Sequence, residues 1–285
     1  MGKLLEIFKL TRIEHSLLLV IAVLAAELIV GGGLPSTNVL ALSLITPIFI
    51  SMGAFAINDY FDIKVDRANK KDRPLVKGTL KPSDALYISI ATILIGIAAS
   101  YFINFYCFVI AIFFGAMSLL YSYKLKETLF WGNAYIAFSM VIPFIYGNYV
   151  VSANLAESIV IVSVIIFASG LAREIHGTIR DYKGDTKIRN AITIPKVLGI
   201  AASSAISLVL YLFAVLLSIY LFFYVHPFML NPVYGVLVGI TDIMLLYVGM
   251  GYIVKNKQKF YDKTRNISLA AMGIALIAFL LSSIF

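Results

Sequence analysis

Residues 58 to 74 read NDYFDIKVDRANKKDRP, a stretch holding four Asp, three Lys and two Arg. Asn58, Asp62 and Asp66 are spaced four apart, so a helix through them turns all three to one side. Asp59 lies one position round from that stripe. Like charges this close repel, and gathering them at a membrane surface is costly unless cations compensate. A divalent metal is the natural compensation. Oxygen ligands without His or Cys suit Mg2+, which keeps several waters and shares its coordination with substrate phosphates. Arg67, Lys70, Lys71 and Arg73 follow at once and supply the positive field that a polyphosphate needs.

A second stretch has the same character. In REIHGTIRDYKGD, residues 173 to 185, Glu174, Asp181 and Asp185 fall on one helical stripe, with Thr178 between them. Gly177 sits one turn before Asp181 and leaves room there. Arg173, Arg180, Lys183, Lys187 and Arg189 surround the stripe. A single charged helix end at a membrane surface is ordinarily a solvated anchor. Two acidic ends, each ringed by cations, point instead to a shared Mg2+–diphosphate site with a lipid tail lying among the helices.

The elements that must position these residues are membrane helices. The chain has 285 residues, 61% of them hydrophobic, and a mean hydropathy of +0.94. Charged residues make up 13%, about half of the roughly 25% in soluble domains. Hydropathy predicts an all-α, polytopic bundle of nine spans near 15–33, 38–58, 84–103, 105–123, 131–150, 155–173, 195–222, 232–254 and 266–285. They form one domain over 1–285, with acidic connections at 59–83 and 174–194. The first apolar run is followed by many others, which argues against a cleaved signal peptide. Cys107 is the only cysteine, so the chain can form no internal disulfide and no cysteine-based metal site.

The net charge of +8 is a topology signal more than a sign of nucleic acid. All 23 Lys and Arg lie in the N-terminal segment or in the second-to-third, fourth-to-fifth, sixth-to-seventh and eighth-to-ninth connections. With nine spans these five segments share one face, and the positive-inside rule makes that face cytoplasmic. The N-terminus and the acidic stripes are thus expected in the cytoplasm and the C-terminus outside. Two carboxylates fall inside spans, Glu27 and Asp242. Intramembrane acids are costly and often functional. Each is open to a polar cavity role or to a protonated, hydrogen-bonded structural one. The sequon at Asn266 is read as chance, being on the cytoplasmic face.

The motifs resemble those of the UbiA superfamily of intramembrane prenyltransferases. NDYFDIKVD is similar to the first acidic motif of that superfamily, and DRPLVKG to the Arg-Pro tail that follows it. DYKGD is similar to the second motif, LYSYKLK to the fourth-to-fifth loop, and TRIEHSLL to the N-terminal segment. The resemblance implies that a prenyl diphosphate binds through Mg2+ and ionises, and that an acceptor attacks the allylic cation. It implies Asn58, Asp59, Asp62, Asp66, Asp181 and Asp185 as holders of the Mg2+–diphosphate, with Asp62, Asp66, Asp181 and Asp185 as the catalytic carboxylates. Arg67, Arg73, Lys124 and Tyr182 are implied as diphosphate contacts.

Within the superfamily, NDYFDIKVDRAN and AREI with RDYKGD are most similar to the archaeal ether-lipid branch. There the donor is geranylgeranyl diphosphate and the acceptor geranylgeranylglyceryl phosphate. The chain departs from that branch at Gly177-Thr178, where a Lys-Asp pair is usual, and Glu174 is the carboxylate left to compensate. The acceptor phosphate needs cations of its own, for which Arg12, His15, Lys124, His176 and Lys187 are candidates, with Glu174 beside them. Two other readings compete. An aromatic acceptor, as in quinone synthesis, would keep the site and change the acceptor pocket. A cation-coupled transporter would place its acids at the membrane midplane, whereas these clusters sit at one edge.

Overall fold

The structure, a computed structural model, describes residues 2–128, 130–188 and 193–285, and within them all side chains except those of Glu127 and residues 183–188. The helices are α1 (Lys3–Thr11), α2 (Ile13–Gly31), α3 (Thr37–Ala68), α4 (Pro74–Lys77), α5 (Pro82–Tyr101), α6 (Phe105–Tyr123), α7 (Trp131–Val151), α8 (Glu157–Ile188), α9 (Ile194–Tyr224), α10 (Pro232–Gly249) and α11 (Lys257–Ser282). A 3₁₀ turn, Leu125–Glu127, links α6 to α7. Among the described residues nine helices, α2, α3 and α5 to α11, are long and apolar enough to cross a membrane. That is the all-α, nine-span architecture the hydropathy predicts, and the chain is a multi-pass membrane protein.

Three predicted ends move. The second span was expected to stop near residue 58, yet α3 continues to Ala68; the sixth was expected to stop near 173, yet α8 continues to Ile188. The ninth begins at Lys257 rather than near 266. Hydropathy marks where apolar residues stop, not where the helix stops. Between Asn58 and Ala68 there is no Gly or Pro to break the backbone ladder. Much of each predicted acidic connection is therefore an extension of a membrane helix.

Small residues let the helices close in. On the α3–α5 seam Ser89 Oγ donates to the Gly53 carbonyl at 2.9 Å. A Cβ at Gly53 would lie 2.8 Å from the Ser89 carbonyl oxygen. On the α2–α7 seam a Cβ at Gly147 would lie 2.6 Å from the Val23 carbonyl oxygen. Where α9 begins, Gly199 takes φ +82, a backbone state that residues with a Cβ rarely adopt. Large apolar side chains such as Leu216, Val236 and Ile243 remain exposed, the surface a lipid-facing bundle requires.

The packed core is set toward one end. Ala26, Phe144, Ile159, Leu221, Phe228 and Phe279 meet there in a single cluster. Smaller packed clusters hold the helices elsewhere, and a large hollow lies between them. Pro47 of α3 and Pro143 of α7 both line the hollow, and each deletes one hydrogen bond from its helix.

Candidate active site

At the end of α3 the carboxylates are drawn inward. Asp59, Asp62 and Asp66 are 2%, 7% and 1% exposed, as the helical spacing requires. Four cations meet them, three from other segments and Lys71 from just beyond the helix end. Arg12 Nη2 donates to Asp59 Oδ1 at 2.6 Å, and Lys126 Nζ to Asp62 Oδ1 at 2.6 Å. Arg73 Nη1 pairs with Asp59 and also lies 2.8 Å from Asp66 Oδ2. Lys71 Nζ lies 2.9 Å from Asp66 Oδ1.

Local backbone explains how they arrive. Arg12 sits in the left-handed region, φ 47 and ψ 49, at the break between α1 and α2. Its guanidinium lies 4.8 Å from the Phe55 ring centroid. Burial pulls that guanidinium below its ordinary pKa, and Asp59 opposes the shift. After α3 the chain reverses through Lys70, φ 51, and α4 carries Arg73 back over the stripe. Leu75 and Leu80 anchor this return against Leu10, Ala56 and Ala85. Glu6 of α1 helps hold it: Thr79 Oγ1 donates to Glu6 Oε2 at 2.6 Å, and that bond is the main reason the Glu6 carboxyl titrates below its ordinary range.

At the end of α8, among the described residues, Glu174 and Asp181 pair with their chain neighbours. Arg173 Nη1 donates to Glu174 Oε1 at 3.0 Å. Arg180 grips Asp181 with two bonds, Nε to Oδ1 at 2.8 Å and Nη2 to Oδ2 at 2.6 Å. Asp181 is exposed and Tyr182 half-buried. His176 is buried and stacked on Tyr261 of α11, ring centroids 3.9 Å apart. The side chains of Asp185 and Lys187 lie outside the described residues.

Between the two helix ends opens a cavity of about 900 Å³. Arg12, His15, Asn58 and Arg173 stand at its mouth, and Ala22, Thr46, Phe144 and Phe279 lie toward its floor. From Asn58 to Thr46 along α3 is roughly 18 Å of helix. Phe55, Phe114, Tyr121 and Tyr135 line the wall between, and Tyr121 and Tyr135 stack at 4.5 Å. Asp242 also lines the cavity and accepts a hydrogen bond from Ser218 Oγ at 2.6 Å. Glu27 is fully buried elsewhere, and neither of its carboxylate oxygens meets a hydrogen-bond partner.

The oxygen donors fit Mg2+ as a partial site. Among the described residues no three Asp, Glu, His or Cys side chains converge to cage an ion alone. Mg2+ does not need such a cage, because it is usually held by one or two carboxylates together with substrate phosphates and water. Asp66 agrees with that use: both its carboxylate oxygens are buried, and each faces a single cation.

The other expected residues divide. Arg73 joins the carboxylate cluster, as does Arg12, which was expected among the acceptor contacts. Arg67 is exposed and makes no ion pair among the described residues. His15 stays at the rim, its ring 5.5 Å from Phe55. Lys124 is exposed, and its near neighbour Lys126 is the residue that reaches Asp62. Sequence reading missed Lys126, although it lies in the same LYSYKLK stretch. The 3₁₀ turn rotates it inward, which helical periodicity does not reveal. The aromatic wall and the α11 residues Tyr261, Thr264 and Arg265 beside His176 were missed as well.

Nine apolar helices around a deep cavity, with two acidic helix ends at its mouth, define an intramembrane enzyme for a lipid diphosphate. The chain belongs to the UbiA prenyltransferase family, whose model matches residues 19–282, and it is a prenyltransferase. It is 34% identical over 274 residues to digeranylgeranylglyceryl phosphate synthase of Archaeoglobus fulgidus, covering 96% of this chain and 93% of that protein. A solved structure of a digeranylgeranylglyceryl phosphate synthase superposes with a TM-score of 0.84 at 27% identity, covering 100% of this chain and 99% of that one. A UbiA homologue from Archaeoglobus fulgidus, solved with GPP and Mg2+, shares the fold at a TM-score of 0.72 and 18% identity, covering 96% and 99% of the two chains.

Proposed function

We propose that this chain transfers a geranylgeranyl group from geranylgeranyl diphosphate to the free hydroxyl of geranylgeranylglyceryl phosphate. The product carries the second ether bond of archaeal membrane lipids. One observation carries the reading: the acidic ends of α3 and α8 meet, through Asn58 and Arg173 beside their carboxylates, at one apolar cavity long enough for a polyprenyl tail. The relatives named digeranylgeranylglyceryl phosphate synthase support the choice of acceptor.

The roles follow from position. Asn58, Asp59, Asp62 and Asp66, with Asp181 and Asp185, hold the diphosphate through Mg2+. When bound, the metal neutralises charge on the leaving group. Arg73 and Lys126 orient the carboxylates and add positive field where the diphosphate gains charge. The C1–O bond of the donor breaks with its electron pair going to the diphosphate. Phe55, Phe114, Tyr121 and Tyr135 keep water from the allylic cation and face it with π density. The acceptor hydroxyl oxygen then bonds to C1, and its proton leaves to a motif carboxylate or to the departing diphosphate. The whole chain, 1–285, acts as one domain. By the distribution of Lys and Arg, the site and N-terminus face the cytoplasm and the C-terminus faces outward.

The test is an assay on purified enzyme in detergent. Radiolabelled geranylgeranyl diphosphate and Mg2+ are supplied with geranylgeranylglyceryl phosphate or 4-hydroxybenzoate in parallel. Ether product from the glycerol phosphate lipid alone, abolished by EDTA, is the expected result. Product from the aromatic acceptor alone would move the enzyme to quinone synthesis.

A further inference from the structure

A second, smaller cavity of about 290 Å³ lies between α8 and α11, beside the mouth of the large one. Arg173, Arg180 and Arg265 line it together with two carboxylates, Glu174 and Asp181, and with His176. Arg173 belongs to both cavities. Several polar groups in this wall, and one behind it, have no hydrogen-bond partner among the described residues. Both ring nitrogens of His176, which is 6% exposed, have no hydrogen-bond partner, and neither has Arg173 Nε. The Tyr211 hydroxyl is likewise unpartnered, its ring 5.4 Å from that of His176. Leaving a buried donor unpaired costs roughly 1–3 kcal/mol each. Such a cluster needs an occupant rich in acceptors. Among the described residues Arg265 makes no ion pair, while Arg173 and Arg180 hold only the carboxylates next to them in the chain.

We infer that this cavity seats the phosphate of the acceptor lipid, held by Arg173, Arg265 and His176; the inference rests on the glycerol phosphate acceptor proposed above. A phosphate monoester offers the acceptor oxygens that these donors lack. The donor diphosphate is held, as proposed above, between the buried carboxylates of α3 and Asp181 of α8, and Arg265 and His176 take no part in that grip. A phosphate beside Arg173 stands at the rim of the large cavity. From there the short glycerol backbone turns its free hydroxyl toward the donor, and its prenyl chain enters the apolar space. This wall also separates an acceptor that carries a phosphate from one that does not.

The experiment compares wild type, Arg265→Ala and Arg265→Lys as full-length enzyme with Mg2+. Arg265 is exposed, so its truncation leaves the bundle packed. Arg265→Ala is expected to raise KM for the glycerol phosphate lipid about tenfold, the loss of one charge-assisted hydrogen bond, with KM for geranylgeranyl diphosphate unchanged. Arg265→Lys recovers most of that loss. The penalty is confined to the phosphorylated acceptor and is absent with geranylgeranylglycerol, which lacks the phosphate. An unchanged acceptor KM, a raised donor KM, or equal losses with both acceptors would overturn the inference. Calorimetric titration with glycerol phosphate separates it from the functional reading. Binding that Arg265→Ala and Arg173→Ala each weaken, in an enzyme that makes no ether lipid, keeps the phosphate site and sinks the proposed acceptor. Binding indifferent to both substitutions, or no binding by wild type, sinks the site whatever the turnover.

Discussion

The ends of α3 and α8 look alike in sequence and differ in the folded chain. Both helices are 32 residues long, and both finish in an acidic stripe ringed by Lys and Arg. On α3 the carboxylates are buried and tied to cations from three other segments, Arg12, Arg73 and Lys126. On α8 the pairs Arg173–Glu174 and Arg180–Asp181 are local, Asp181 is exposed, and a polar cavity adjoins them. One acidic end is built into the architecture. The other leaves Asp181 exposed beside a cavity. A charged motif therefore says what a site can bind, and its tertiary partners say how much stability depends on it.

That contrast can be broken first at the carboxylates. Asp62→Ala is expected to lower turnover about 10²–10³-fold, the scale of losing a main element of charge stabilisation, read by radiolabelled product formation. Asp59→Ala should in addition unfold the enzyme earlier. It leaves Arg12 without its carboxylate and Arg73 with Asp66 alone, a loss of roughly 3–5 kcal/mol for a buried pair. Asp181→Ala, with an exposed pair, should cost stability no more than about 1 kcal/mol while still impairing turnover. Thermal unfolding in detergent compares the two ends directly, and equal destabilisation would erase the distinction.

Packing and the loop cations come next. Gly53→Val drives a side chain into the α5 backbone and should cost about 1–3 kcal/mol by overpacking. Gly177→Ala meets nothing within 4 Å and should leave the unfolding temperature unchanged or raised. Lys126→Ala should lower kcat/KM about tenfold, whereas Lys124→Ala should change it little; the reverse order would contradict the Asp62 contact.

The smallest effect concerns pH. The Glu6 carboxyl is held below its ordinary value of 4.5, first by Thr79 and then by Lys9. A depressed acid stabilises the fold above its unfolded pKa and loses that contribution as pH falls through the folded value. The seating of α1 should therefore weaken on acidification below about pH 4.5, read by amide exchange over residues 3–11, and less so in Thr79→Val.

Much of this was legible in the sequence because membranes impose strong rules. Apolar length gave the nine helices, and the four-residue spacing of Asn58, Asp62 and Asp66 marked the inward face. Contacts between distant segments were not legible. Arg12 reaches Asp59 only because of a left-handed break that hydropathy does not record. Lys126 reaches Asp62 through a single 3₁₀ turn, a contact that the spacing of LYSYKLK does not reveal. The α11 side of the small cavity, Tyr261 and Arg265, carries no motif at all, and packing against α8 alone brings it to the site. The two internal acids also diverged on packing grounds: Asp242 reached the cavity and a hydrogen bond, while Glu27 reached neither.

The central claim is that both acidic ends act on one diphosphate. The most direct test is a double-mutant cycle on the binding of Mg2+ and geranylgeranyl thiodiphosphate, an unreactive donor. Wild type, Asp62→Asn, Asp181→Asn and the double variant are titrated under the same conditions. If both ends share the ligand, each single variant weakens binding and the combined loss departs from additivity by about 1 kcal/mol or more. Losses that add to within about 0.5 kcal/mol, or an Asp181→Asn enzyme that binds like wild type, would place the diphosphate on α3 alone and contradict the account.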